Sequence, residues 1–370
     1  MNSSCRSVTS ICNDVIAVTV SSAVSKFDQV LVSDEVLVTF TSVVDTWSSL
    51  VIAFLGIVCN VLTIIVFAGL GFKDTVNITM TVIAFWDLVR VLCGAIHRCY
   101  GPLSLLSPTL GKSWQNITIP NVNSLQNIAS NVAYVIGGYV ALERCLCISF
   151  PFRVKSLMTP KVTWLACSAL SIIVLASLFP SLFLLEIQWM KSTGQDELVA
   201  IYRYSTFYFT YGLAYMNFYK YFNLLYPFIS LSVMVVSTAI IAYTLGKSSR
   251  FRKKMLKTPT TPKQGTQSTS TLTKRDVQVV KMLLLVIVSY ILVLVPRVTT
   301  FMVQLFEPEF IVLRFYNNIF RLIVGVILFL DFVNSSSGLA IYYFMSSKFR
   351  SRIQWIVRNA VIGCSCSTFK

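Results

Sequence analysis

Charge is scarce in this sequence, and histidine is nearly absent. Only 12% of the 370 residues are Asp, Glu, Lys or Arg, whereas a soluble chain of this size carries about 25%. One histidine, His97, leaves histidine-based catalysis and zinc chemistry almost nothing to work with. The ten cysteines are scattered without a C-x-x-C pair, so no metal site is expected. No facing His, Ser or Asp pair has a spacing that suits an intramembrane enzyme. No internal repeat supports the inverted halves of a transporter. Met1–Leu50 lacks a basic start followed by an apolar core, so no short signal peptide is expected.

Apolar sequence is what the chain does have. It is 55% hydrophobic, with a mean hydropathy of +0.71. Runs of ~20 mainly apolar residues are candidate membrane-spanning helices. Seven occur, near Ser48–Leu70, Val76–Cys99, Val122–Ile148, Val162–Leu185, Phe218–Gly246, Val277–Phe306 and Phe315–Tyr343. Asp87 and Arg90 interrupt the second, and Arg321 and Asp331 the seventh. The expected fold is an all-α membrane protein: an N-terminal segment 1–47, a seven-helix bundle 48–345, and a surface helix with tail 346–370.

The formal charge of +16 comes from a few clusters. Residues 247–275 hold nine basic residues and no acidic one; Arg153, Lys155, Lys161 and the tail after Tyr343 add more. With seven spans these clusters share one side, which the positive-inside rule makes cytoplasmic. The N-terminus is then extracellular, in a multi-pass plasma-membrane protein, and nucleic acid is not an expected partner. The sequons at Asn2 and Asn116 fall outside and are glycosylation candidates. Those at Asn77 and Asn334 read as chance matches. The Ser/Thr/Pro-rich part of 247–275 reads as a flexible loop, solvated or open to kinases. Phe349, Ile353, Trp355 and Ile356 among cations read as an amphipathic helix on the inner leaflet. Cys364 and Cys366 beyond it are either palmitoylation sites or free thiols.

The third apolar segment ends in Glu143-Arg144-Cys145, with Pro151-Phe152-Arg153 following. An arginine at the inner end of a buried helix needs a partner. Glu143 beside it is one candidate, and a carboxylate from another helix is a second. Asn60 stands in the first span, Ala84-Phe-Trp-Asp87 in the second, and Pro180, Pro227 and Pro296 in the fourth to sixth. Asn334-Ser-Ser-Ser-Gly338-Leu339-Ala-Ile-Tyr342 closes the seventh.

In order and spacing these residues resemble the rhodopsin-like G-protein-coupled receptors over about residues 48–358. The divergent members most similar to this chain are the molluscan-type chemosensory and the FMRFamide-type neuropeptide receptors. The resemblance implies an extracellular ligand, a heterotrimeric G protein, receptor kinases and arrestin as partners, and no cofactor. It casts Glu143, Arg144, Pro151, Phe152 and Tyr342 as switch and coupling residues, and Asn60, Asp87 and Asn334 as an intramembrane polar network. Asp276, twenty residues before Pro296, stands where the family often has an acid that clasps the Arg; the other reading is a solvated loop charge. Asp87 also resembles the family's sodium-binding acid, although Ala133 and Gly338 replace two co-ligands. The usual third-span cysteine is Ile119 here, and no cysteine lies between Cys167 and Cys364, so the usual outer disulfide cannot form. The Trp expected in the fourth span and the aromatic before Pro296 are also missing.

The ligand side has two negatives. An amine receptor would need Asp at Gln126, and an opsin would need Lys at Phe332. Arg90, His97, Gln126, Arg297 and Asp331 are the ligand-binding candidates. Arg90 and Arg297 suit a carboxylate through forked hydrogen bonds. The competing reading is internal pairing, Asp87 with Arg90 and Arg297 with Asp331. The aromatic run 202–222 reads either as a lid over a pocket or, more simply, as an interfacial belt.

Overall fold

The computed structural model describes residues 32–150, 158–191, 197–255 and 274–367. Seven helical segments are long and apolar enough to cross a membrane. The first span joins helix α1 (Asp34–Phe40) through a π-helical stretch (Thr41–Ser48) to α2 (Ser49–Leu70). Ser33 caps it by accepting from the Val36 N–H. The helix thus begins at Asp34, ahead of the apolar run that opens near Ser48. Asp34, Glu35 and Asp45 had hidden the segment from a hydropathy reading.

Gly71 ends α2 at φ 84°, a left-handed conformation that favours glycine. Asp74 then caps α3 (Thr75–Arg98), the second span. Short helices α4 (Tyr100–Leu106) and α5 (Pro108–Thr118) follow, and a π-helical turn (Ile119–Asn123) leads into α6 (Ser124–Ser149). The third span therefore starts well before Val122, running over Pro108–Ser149. Pro160 opens α7 (Pro160–Leu178), and Pro180 lies in a 3-10 turn (Phe179–Phe183) at its far end.

A hairpin of β1 (Leu185–Lys191) and β2 (Leu198–Tyr204) comes next, paired antiparallel with Leu185 opposite Tyr204. Helix α8 (Thr206–Met255) holds the fifth span, α9 (Lys274–Phe306) the sixth and α10 (Asn317–Met345) the seventh. Helix α11 (Ser347–Ser367) closes the chain. Its Phe349 is buried against Phe67 and Tyr342, at ring distances of 5.1 and 5.6 Å, while Trp355 faces outward.

The core is apolar where the spans meet, around Met80, Val132, Ile136, Met234 and Leu294. The outside of the bundle is apolar too: Leu165 is 71% and Leu292 68% exposed. In water such surfaces would be a liability; in lipid they are the solvated face. Most of the 202–222 aromatics belong to that exterior, with Phe209 and Tyr221 exposed. Three turn inward: Tyr215 onto the Ser177 and Leu178 carbonyls, Tyr219 onto Asn127, and Phe222 against the core.

At the hairpin end, β2 is tied to α5 through one buried residue. Ser113 Oγ accepts from the Ala200 N–H at 3.2 Å, and Asn116 Nδ2 donates to the Ala200 carbonyl at 2.9 Å. The described cysteines are all free. A pair of hydrogen bonds thus joins the hairpin to the helix leading into the third span.

Candidate functional site

Two charge pairs lie in the middle of the bundle, where water is excluded. Asp87 and Arg90, one turn apart on α3, form an ion pair at 3.3 Å. Ser335 of α10 donates to Asp87 Oδ1 at 2.9 Å and accepts from Arg90 Nη1 at 3.0 Å. Tyr290 of α9 donates its hydroxyl proton to the other Asp87 oxygen at 3.1 Å. Asn60 of α2 donates to the carbonyls of Gly56 and Ser335. Three spans therefore meet at one carboxylate, and Asn60 adds the first span through the Ser335 backbone.

The second pair bridges two helices. Arg297 Nη2 of α9 lies 3.1 Å from Asp331 Oδ2 of α10. Tyr134 of α6 donates its hydroxyl to Asp331 Oδ1. The guanidinium carbons of Arg90 and Arg297 each lie 5.2 Å from the centre of the Tyr134 ring. Edge-on contact between Tyr134 and Tyr290, at 6.2 Å, links the two pairs. Such burial is tolerable because each charge has an opposite charge and polar neighbours.

A cavity of about 320 Å³ opens at the hairpin end. Its lining includes His97, Arg98, Gln126, Arg297 and Arg321. His97 Nδ1 lies 2.7 Å from Thr118 Oγ1, and its Nε2 faces Asn123. Thr118 spends its own proton on backbone carbonyls, so the neutral tautomer with hydrogen on Nδ1 satisfies both contacts. Arg98 donates to the Asp45 carboxylate and carbonyl, both at 2.5 Å, and lies over the Phe332 ring. Gln126 Oε1 is buried with no donor among the described residues.

The cavity thus gathers three of the five expected ligand residues, His97, Gln126 and Arg297. Arg90 and Asp331 do not line it. Both are wholly buried and each is held by an internal partner. Of the two readings open for these charges, internal pairing is the one the structure displays for both. Asn334 also departs from expectation. Its side-chain amide is buried with no partner among the described residues, and Ser335 next to it enters the network instead. Asn116 has its glycan-accepting nitrogen bonded to Ala200 within a helix, which argues against modification there.

At the opposite end, Arg144 lies 2.7 Å from Glu143 and donates to Thr75 Oγ1 at 3.0 Å. Both Glu143 oxygens lack a partner with hydrogen-bond geometry, so the contact is an ion pair rather than a fork. Thr75 also lines a second cavity, of about 520 Å³, walled by α2, α3, α9, α10 and the start of α11. Tyr342 lies near it, buried, with its hydroxyl on Met80 Sδ at 3.2 Å. Asn2, Pro151 and Phe152 lie outside the described residues, as do the side chains of Asp276, Cys364 and Cys366.

Several contributors had no single-residue signature in the sequence. Asn127 donates to Asn223 at 2.7 Å and to the Tyr219 hydroxyl at 3.0 Å, joining the third and fifth spans. Trp86 donates to Ser171 at 3.2 Å and ties the second span to the fourth. The close run Gln126, Asn127, Ser130, Asn131 within an apolar helix was the available signal, as every one faces the bundle.

No curated protein matches the chain. The family model described as serpentine type 7TM GPCR chemoreceptor Srw matches residues 47–359, which span all seven helices and most of α11. The chain therefore belongs to the Srw family of serpentine seven-transmembrane G-protein-coupled chemoreceptors.

Proposed function

We propose that this receptor detects an extracellular small molecule in the hairpin-end cavity and activates a heterotrimeric G protein at the basic end. The observation that carries the reading is the pair of cavities at opposite ends of the bundle, with a buried ionic network over four spans between them. The basic clusters support a cytoplasmic assignment for the end that holds Arg144. The N-terminus and hairpin then face outside, at the plasma membrane. The rhodopsin-like order of Asn60, Asp87 and Glu143-Arg144 supports coupling through Arg144. A cavity of about 320 Å³ lies at the small end of the range for small-molecule sites, which favours a chemosensory ligand over a buried peptide. The Ser/Thr-rich loop and tail offer hydroxyls to receptor kinases, and through them to arrestin.

The test is guanine-nucleotide exchange in membranes, agonist-free and across a ligand panel, comparing wild type with Arg144→Ala at equal surface expression. A ligand response lost in the variant is expected. Ionic current or substrate uptake with no nucleotide exchange would refute the coupling.

A further inference from the structure

Arg297 is oddly served for a buried cation. It is 7% exposed, and of its five N–H donors only Nη2 is bonded, to Asp331. Its Nε and Nη1 are closed from solvent and have no acceptor among the described residues. A buried donor without a partner costs about 1–3 kcal/mol. Arg297 borders the cavity, whereas Asp331 is wholly buried and is not part of its lining. The lining also includes Gln126, 4% exposed, whose Oε1 lacks a donor among the described residues. The cavity lining holds three arginines, Arg98, Arg297 and Arg321, against one acid, Asp45. Asp45 is already taken by Arg98, and Arg321 is exposed with no ion-pair partner among the described residues.

We propose that the ligand carries a carboxylate, that Arg297 receives it by turning away from Asp331, and that Gln126 accepts an N–H or O–H from the same molecule. This rests on the receptor reading above and adds to it the ligand class and the trigger. A carboxylate offers the guanidinium two parallel bonds, where Asp331 provides one. Asp331 keeps the Tyr134 hydroxyl when Arg297 leaves. Arg297–Asp331 is the sole ion pair between the sixth and seventh spans among the described residues. Ligand and inter-span bond therefore compete for one cation, and binding loosens the sixth span from the seventh. Only such a difference in affinity between two states lets a ligand shift the equilibrium.

The experiment uses the purified full-length receptor in detergent, without G protein, so that a failure of coupling leaves it intact. The thermal midpoint is read against short aliphatic, aromatic, hydroxy- and amino-carboxylates, each beside its amide and amine. At least one carboxylate raises the midpoint where its amide and amine do not. Asp331→Asn removes the competitor and tightens that carboxylate's binding by roughly tenfold, whereas a merely structural pair would give weaker binding. Arg297→Gln loses the carboxylate, and the exchange R297D/D331R moves the preference to the amine. Should the exchanged receptor not fold, Asp331→Asn decides alone. No carboxylate effect on wild type, or weaker carboxylate binding by Asp331→Asn, overturns the proposal.

Discussion

Arg90→Ala tests the central network most directly. Arg90 is fully buried, and the substitution removes its 3.3 Å ion pair with Asp87. It also removes the 3.0 Å bond to Ser335 and the stacking over Tyr134. Asp87 keeps Ser335 and Tyr290 as donors but loses its countercharge. Stranding one member of a buried pair costs about 3–5 kcal/mol, and a lost cation–π contact about 0.5–2 kcal/mol more. A fall in thermal midpoint of roughly 5–15 °C follows. The paired substitution Asp87→Asn with Arg90→Ala leaves no uncompensated charge and is expected to recover more than half of that loss. The same geometry bears on sodium, which the rhodopsin-like pattern associates with Asp87. In wild type the guanidinium holds that place, so exchanging sodium chloride for N-methylglucamine chloride at constant ionic strength should not move the midpoint. In Arg90→Ala a small cation gains access to the carboxylate, and sodium should stabilise the variant by several degrees. The reasoning is refuted if wild type itself is stabilised by sodium, or if Arg90→Ala lowers the midpoint by less than 2 °C, roughly 1 kcal/mol or below.

Two further outcomes follow from the packing. Asn116→Ala should free the Ala200 carbonyl and cost about 1 kcal/mol, with faster hydrogen exchange along β2. Asn116→Gln should leave glycosidase-sensitive gel mobility unchanged, and a band shift lost in that variant would show that the site is modified after all. Phe349→Ala should cost about 3–5 kcal/mol, as for other buried aromatics. It should also expose the α10–α11 junction to limited proteolysis; an unchanged cleavage pattern would mean that α11 is held by lipid contacts rather than by Phe67 and Tyr342.

The spans were legible because desolvation of an apolar run is a local property. A 21-residue stretch such as Leu50–Leu70 must be buried or lipid-facing whatever it packs against. Boundaries failed where polar residues are answered from a distance. Asp45 reads as a loop acid until Arg98, 53 positions later, turns out to neutralise it. The third span was expected from Val122, but a π-helical turn that includes Pro120 carries the helix on from α5. The hairpin went unread because both strands are short and face solvent along most of their length, so no buried face marks them. Within the candidate site, internal pairing was one of two readings open for Arg90 and Arg297, and both pairs are present. Tyr134, which connects them, gave no sign of its role, since a tyrosine in an apolar helix is unexceptional.

By itself the sequence determined seven spans, a basic end, an arginine beside Glu143, and ionisable residues that must lie inside the bundle. Each follows from composition over a short window, where the cost of transferring a residue into lipid does not depend on its neighbours. The tertiary structure decided which acid answers which arginine, that Asn334 stands aside while Ser335 joins, and that Arg297 borders a cavity while two of its buried nitrogens lack an acceptor among the described residues. Those outcomes depend on how each helix is rotated about its axis. A turn of one residue, about 100°, exchanges a bundle-facing side chain for a lipid-facing one, and the packing of all seven helices together sets that angle.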